Sequence, residues 1–179
     1  MRFNAVLVLG NSLCMVLDSD KRERCLTSFY ESLRPGGIIV IDERNFSYLL
    51  DHREEILADP YSALSFVRDG DVMYHGHALR SYPAAIADSS VTWAFFANTP
   101  AVHSSSEIAS RRISDADLHL YPFRHGELYA LLIEAGFVDI DVYGDLSLVA
   151  DGRNANATMP SPEAIGDSTF ITYVARRAE

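Results

Sequence analysis

Two short apolar runs, FNAVLVL at residues 3 to 9 and GIIVIDERNF from Gly37 to Phe46, bracket a single helical segment, and that arrangement constrains the chain more than anything else in it. Each run is nearly continuous and aliphatic, the pattern of a strand buried on both faces of a parallel sheet. Between them, SDKRERCLTSFYESLRPGG opens with Ser19 as an N-cap, places Cys25, Leu26, Phe29 and Leu33 at helical spacing, and stops at Pro35-Gly36-Gly37. Strand, helix and strand with joints this short make a βαβ unit, so the two strands are parallel and the crossover is right-handed. The second strand is expected to end at Asp42.

The remaining chain has a different texture. Residues 47 to 60 read as one helix ending at Asp59-Pro60. From about Val72 to Leu120, runs such as DVMYHGHALRSY and SSVTWAFFAN, rich in aromatic and β-branched residues, predict an antiparallel insert. RHGELYALLIEAGF is an amphipathic helix with Leu128, Leu131, Leu132 and Ala135 on one face and Gly136 as its stop. VDIDVYGDL and STFITYVARR follow as strands, and Ala150 to Gly166 reads as a mobile linker.

With 179 residues the chain fits one domain and buries roughly 70% of its unfolded surface. A net charge of −10 and the absence of a Lys/Arg run exclude nucleic acid or an anionic membrane as the main partner, because both reward a basic face. Cys14 and Cys25 lack a Cys-x-x-Cys spacing and read as reduced core thiols. No signal-peptide pattern opens the chain and no apolar run approaches the ~20 residues that span a bilayer, which makes the cytoplasm the expected compartment.

Ligands of open α/β sheets bind beyond the carboxyl ends of the strands. Asn11 and Ser12 follow the first strand, while Glu43, Arg44 and Asn45 follow the second. Neighbouring strands lie ~4.8 Å apart, so Asn11 and Arg44 can face one small ligand. The guanidinium fork suits a carboxylate and the Asn amide can fix a further polar group. The alternatives are a structural salt bridge from Arg44 to Asp42, Glu43 or another acid, and a plain turn role for Asn11 after Gly10. The histidines, including His75, His77 and His103, show no metal-ligand spacing with a third donor, and no metal is expected. Ser12 is not a hydrolase nucleophile elbow, because Leu13-Cys14 lacks the second glycine.

The segments FNAVLVLGNSL, LRPGGIIVIDERNF, LYPF and VYGDL, in this order and spacing, resemble glycine N-methyltransferases and bacterial glycine/sarcosine methyltransferases. The resemblance implies the C-terminal half of a Rossmann-like class I methyltransferase sheet with an antiparallel β insert, S-adenosyl-L-methionine as cofactor, and a small amino acid or amine as substrate. Residues 1–46 then form the βαβ part of the core, residues 47–121 the helix and insert covering the substrate site, and residues 122–179 the helix and strands completing the core sheet. The same resemblance implies that Asn11 and Arg44 hold the substrate carboxylate, that Gly10, Asn11, Ser12 and Leu13 line the cofactor, and that Tyr121 and Tyr74 stand near the methyl-transfer site. As ordinary strand aromatics, Tyr121 and Tyr74 need no such role. Three positions depart from the family pattern: Phe46 replaces a tyrosine, Phe95 stands where a tyrosine is found, and Met15 where some members have a histidine. The implied reaction is in-line attack of an uncharged amine on the sulfonium methyl, which needs positioning more than acid or base residues.

A class I methyltransferase grips its cofactor with a glycine-rich turn after its first strand, and no Gly-x-Gly-x-x-Gly occurs here. Three βα units of ~30 residues would carry it. The chain is therefore expected to be the C-terminal half of an enzyme, inactive alone, whose first strand exposes an edge that self-associates or pairs with a missing N-terminal half. A non-catalytic module that binds a partner stays open as the alternative.

Overall fold

The computed structural model describes residues 2–64, 73–74, 77–98, 110–113, 117–150 and 158–179. Its first three elements are β1 (Phe3–Val8), α1 (Ser19–Ser32) and β2 (Leu33–Arg44), and β1 pairs with β2 in parallel, Val6 opposite Ile39 and Val8 opposite Ile41. This is the βαβ unit that the sequence predicts. Three short helices follow, α2 (Phe46–Asp51), α3 (Arg53–Ala58) and α4 (Pro60–Ala63), then strands β3 (Met73–Tyr74), β4 (His77–Ala87), β5 (Ser90–Asn98), β6 (Ser110–Arg112) and β7 (Leu118–Leu120). The chain closes with α5 (Glu127–Glu134), β8 (Phe137–Gly144), β9 (Ser147–Ala150), α6 (Pro162–Ile165) and β10 (Phe170–Arg177).

These elements form two compact units, Met1–Tyr48 with Tyr121–Glu179, and Leu49–Leu120. The first unit is a mixed sheet in the order β1-β2-β10-β8-β9, with β10 antiparallel to both β2 and β8. Its core lies on one face, where Ile39 and Ile41 of β2, Ile171 and Tyr173 of β10 and Val142 of β8 are buried with Leu26 of α1 and Leu128 and Leu132 of α5. Tyr30, near the end of α1, meets Phe137 at the start of β8 edge-on at 5.1 Å. The second unit is the antiparallel sheet β3-β4-β5-β6, with β7 also paired to β5 and Trp93 and Val91 in its core.

Several expectations are corrected. Among the described residues β1 is an edge strand paired only with β2, so FNAVLVL is not buried on both faces: Leu7 is 64% exposed and Phe3 51%. The aliphatic pattern records burial only where both flanks are covered. Asp18, whose backbone is extended, caps α1 in place of Ser19 by accepting from Lys21 N–H at 2.9 Å. The helix ends at Ser32, before Pro35-Gly36-Gly37, because Arg177 Nη1 takes the terminal carbonyls of Tyr30, Glu31 and Leu33. Gly37 lies within β2 instead, and β2 runs two residues past Asp42 because β10 pairs it as far as Arg44. The helix expected over residues 47 to 60 is three pieces, broken at His52 (φ −109°, ψ 22°). The linker expected from Ala150 to Gly166 contains α6, and its residues 151–157 lie outside the described residues.

Candidate functional site

Beyond Val8 the backbone turns through two left-handed residues, Gly10 (φ +70°) and Asn11 (φ +62°). Glycine has no Cβ penalty there, and asparagine is among the few other residues that tolerate it. The turn brings the Asn11 amide back to the neighbouring strand, where Oδ1 accepts the backbone N–H of Arg44 at 2.8 Å. With its oxygen so engaged, the amide has NH2 donors left to offer a ligand. The loop is held further by Ser12 Oγ donating to Leu9 O, by Cys14 Sγ donating to Asn11 O at 2.9 Å, and by Tyr121 N–H donating to Cys14 O at 2.6 Å. Leu13 and Cys14 are buried under it.

Arg44 stands opposite Phe170 in the β2/β10 ladder, its guanidinium carbon 5.1 Å from the Phe170 ring centroid. Burial lowers its pKa to about 10, which leaves a cation at neutral pH that is already partly stripped of water. Such a group is suited to a small carboxylate. The Cys14 thiol is pushed well up by burial and by Glu43, so it stays neutral and is no nucleophile.

Strand alternation sends Glu43 to the opposite, core face, where it is 4% exposed, hydrogen-bonded to Tyr173, and has no partner for Oε2 among the described residues. Burial, reinforced by the nearby Glu127 and Asp42, holds it well above the usual carboxylate range. Asp42 returns to the face of Arg44 and likewise carries a buried oxygen, Oδ1, without a partner among the described residues.

Tyr121 is clamped from several sides. The Arg22 guanidinium stacks 3.5 Å from its ring centroid, Phe123 meets it edge-on at 5.2 Å, and its hydroxyl donates to Glu127 Oε1 at 2.6 Å. Burial and this Glu127 bond raise its pKa. Buried Arg22 also donates through Nη1 to Val16 O and Leu17 O, so one side chain ties the end of the Asn11 loop to Tyr121.

The structure thus brings together Gly10, Asn11, Ser12, Leu13 and Arg44, with Tyr121 joined to them through Cys14 O. Tyr74 belongs to the other unit, where its backbone pairs with His77; its side chain lies outside the described residues, as do His75 and His103. Phe46, where the family pattern has a tyrosine, is buried in the core. Among the described residues no three His, Cys, Asp or Glu side chains form a metal-binding group, and no helix is long and apolar enough to cross a membrane. Sequence pattern did not single out Arg22, Asp42 or Phe170 as site residues; for Asp42, strand alternation through DER was the available signal.

No protein-family model matches the sequence. The chain is 26% identical over 144 residues to a glycine/sarcosine N-methyltransferase of Halorhodospira halochloris, covering 80% of this chain and 44% of that protein. It is 28% identical over 145 residues to the glycine/sarcosine N-methyltransferase of Aphanothece halophytica, covering 80% and 45%. The chain therefore spans about half the length of the curated relatives it matches. Among solved structures, an S-adenosylmethionine-dependent methyltransferase from Clostridium acetobutylicum superimposes with a TM-score of 0.55 at 13% identity, over 99% of this chain and 59% of the other. The resemblance to glycine/sarcosine methyltransferases stands, and the fold is the Rossmann-like α/β fold of class I methyltransferases.

Proposed function

We propose that this chain is the substrate-binding part of a cytoplasmic S-adenosylmethionine-dependent N-methyltransferase acting on glycine, sarcosine or a similar small amino acid, completed by an N-terminal cofactor-binding half. The observation that carries the reading is the coupling of Asn11 Oδ1 to Arg44 N–H at the ends of two parallel strands. It sets the Asn11 NH2 beside Arg44 at the strand ends, where an open α/β sheet binds its ligand, and the reading takes the Arg44 guanidinium as the second group of donors. Arg44 and Asn11 hold the carboxylate, and Tyr121 stiffens the loop from the α5 side.

Gly10, Asn11, Ser12 and Leu13 fit one side of the cofactor: a Cβ built on Gly10 meets nothing within 4 Å, so a ligand can approach the backbone there. S-adenosylmethionine, when bound, supplies the activated methyl group. The share of the relatives that the chain spans, the lack of a glycine-rich turn and the exposed apolar edge of β1 support completion by a cofactor-binding half. The free thiols of Cys14 and Cys25 suit a reducing compartment.

The test is methyl transfer from labelled S-adenosylmethionine to glycine, sarcosine and dimethylglycine, by the chain alone and co-expressed with the N-terminal half of the Halorhodospira relative. Activity is expected only in the second case. There Arg44→Ala should raise KM for the amino acid by about 10–100-fold, since charge-assisted hydrogen bonds are worth ~1.5–3 kcal/mol. An unchanged KM refutes the carboxylate clamp.

A further inference from the structure

We propose that Arg22 is a positioning residue: it clamps the far end of the Asn11 loop onto the Tyr121 ring and so sets the angle at which Asn11 offers its NH2 beside Arg44. The inference rests on the reading of Asn11 above as a ligand donor. Arg22 sits in the first turn of α1, where the helix dipole disfavours a cation. It is 4% exposed, and none of the ion pairs among the described residues includes it. Its Nε is buried with no hydrogen-bond partner among the described residues. Each of these features costs stability, and a residue that breaks local rules in this way is placed by something other than local stability.

What holds the guanidinium is the loop and the ring. Nη1 donates to Val16 O at 2.8 Å and to Leu17 O at 2.7 Å, while the guanidinium carbon lies 3.5 Å from the Tyr121 ring centroid. The ring is fixed in turn, since its hydroxyl donates to Glu127 Oε1 and the other carboxylate oxygen accepts Arg124 N–H at 2.9 Å. From Val16 the bonds run back to Asn11 in short steps. Val16 N–H donates to Leu13 O at 3.0 Å, closing the single 3₁₀ turn Leu13–Met15, and Cys14 Sγ donates to Asn11 O at 2.9 Å. Asn11 therefore has its side chain on Arg44 and its carbonyl on a turn whose exit Arg22 holds. A flat cation with several donors can meet two carbonyls and a ring face together, whereas a lysine ammonium would meet the carbonyls as a point charge and leave the ring face bare.

The experiment is amide hydrogen exchange read by ¹H–¹⁵N NMR on the full 179-residue chain, for the native protein, Arg22→Lys and Arg22→Met. In Arg22→Met the Arg44 amide should exchange about tenfold faster and the Asn11 side-chain NH2 signals should shift, while amides in the middle of the β2/β10 ladder keep their protection. Arg22→Lys should fall between, and it carries the same comparison if Arg22→Met does not fold. An Arg44 amide that exchanges at the native rate overturns the inference. So does equal acceleration at Arg44 and throughout the ladder, which is the mark of an arginine that only stabilises the fold. The second readout is kinetic, in the enzyme completed with the N-terminal half of the Halorhodospira relative. There Arg22→Met should raise KM for glycine by about tenfold and leave kcat within about twofold, the pattern of lost uniform binding. If the Arg44 amide loosens and KM stays unchanged, Asn11 is not a ligand donor and the hold of Arg22 on its loop stands.

Discussion

Glu43→Gln isolates a proton that the fold holds. In the unfolded chain this carboxyl titrates near its ordinary value of 4.5, and in the folded chain burial keeps it protonated far above that. The folded state therefore binds more protons than the unfolded state once the pH passes 4.5, and stability falls as pH rises until the folded group also ionises. The slope for one such group is ~1.4 kcal/mol per pH unit. For a chain of this size ~1 kcal/mol moves Tm by ~2–4 °C, so the native protein should lose roughly 3–5 °C per pH unit that the variant does not. Glutamine keeps an acceptor for the Tyr173 hydroxyl but places an NH2 where Oε2 has no partner among the described residues. That costs about 1 kcal/mol at every pH. The diagnostic is thus the divergence of the two Tm curves, not their offset. Circular-dichroism melts of both proteins from about pH 5 to pH 8 provide it, and curves that run parallel within ~1 °C would show that Glu43 is not held protonated.

Removing the α1 C-terminal anchor by Arg177→Ala forfeits three carbonyl contacts and the stacking of its guanidinium on Tyr30 at 4.6 Å, and the urea midpoint should fall by an amount equivalent to ~1.5–3 kcal/mol. Gly37→Ala puts a methyl 2.9 Å from Arg34 O and 3.2 Å from Asn4 O, backbone atoms that cannot step aside, so a loss of ~1–3 kcal/mol is expected by the same assay. Leu7→Lys, on the edge strand where the native side chain is already exposed, should reduce self-association on gel filtration while leaving Tm within about 1 °C.

The βαβ unit was legible because its signals are local: two aliphatic runs, one amphipathic helix and joints too short for any other pairing. The antiparallel sheet was legible for the same reason, since aromatic and β-branched runs separated by turns have few other outcomes. What stayed hidden depended on distant partners. Gly37 reads as a helix stop next to Pro35, yet it lies in β2, where a Cβ would crowd both Arg34 O and, on the neighbouring β1, Asn4 O. The true stop comes from Arg177, at the far end of the chain. The β8–β9 hairpin turns on Asp145 and Leu146, both at positive φ, and a leucine there gives no turn signal of the kind Asn-Gly would.

At the site, residue types were readable and their orientation was not. Asn11 and Arg44 stand out from their places at strand ends, but only the bond between them shows that Asn11 spends its oxygen and keeps its donors. That distinction decides the polarity of the site. The donors at the Arg44 end can stabilise an anion. An amino acid held by its carboxylate presents its uncharged nitrogen within a short radius of that anchor, which is the positioning a methyl transfer without acid or base catalysis depends on.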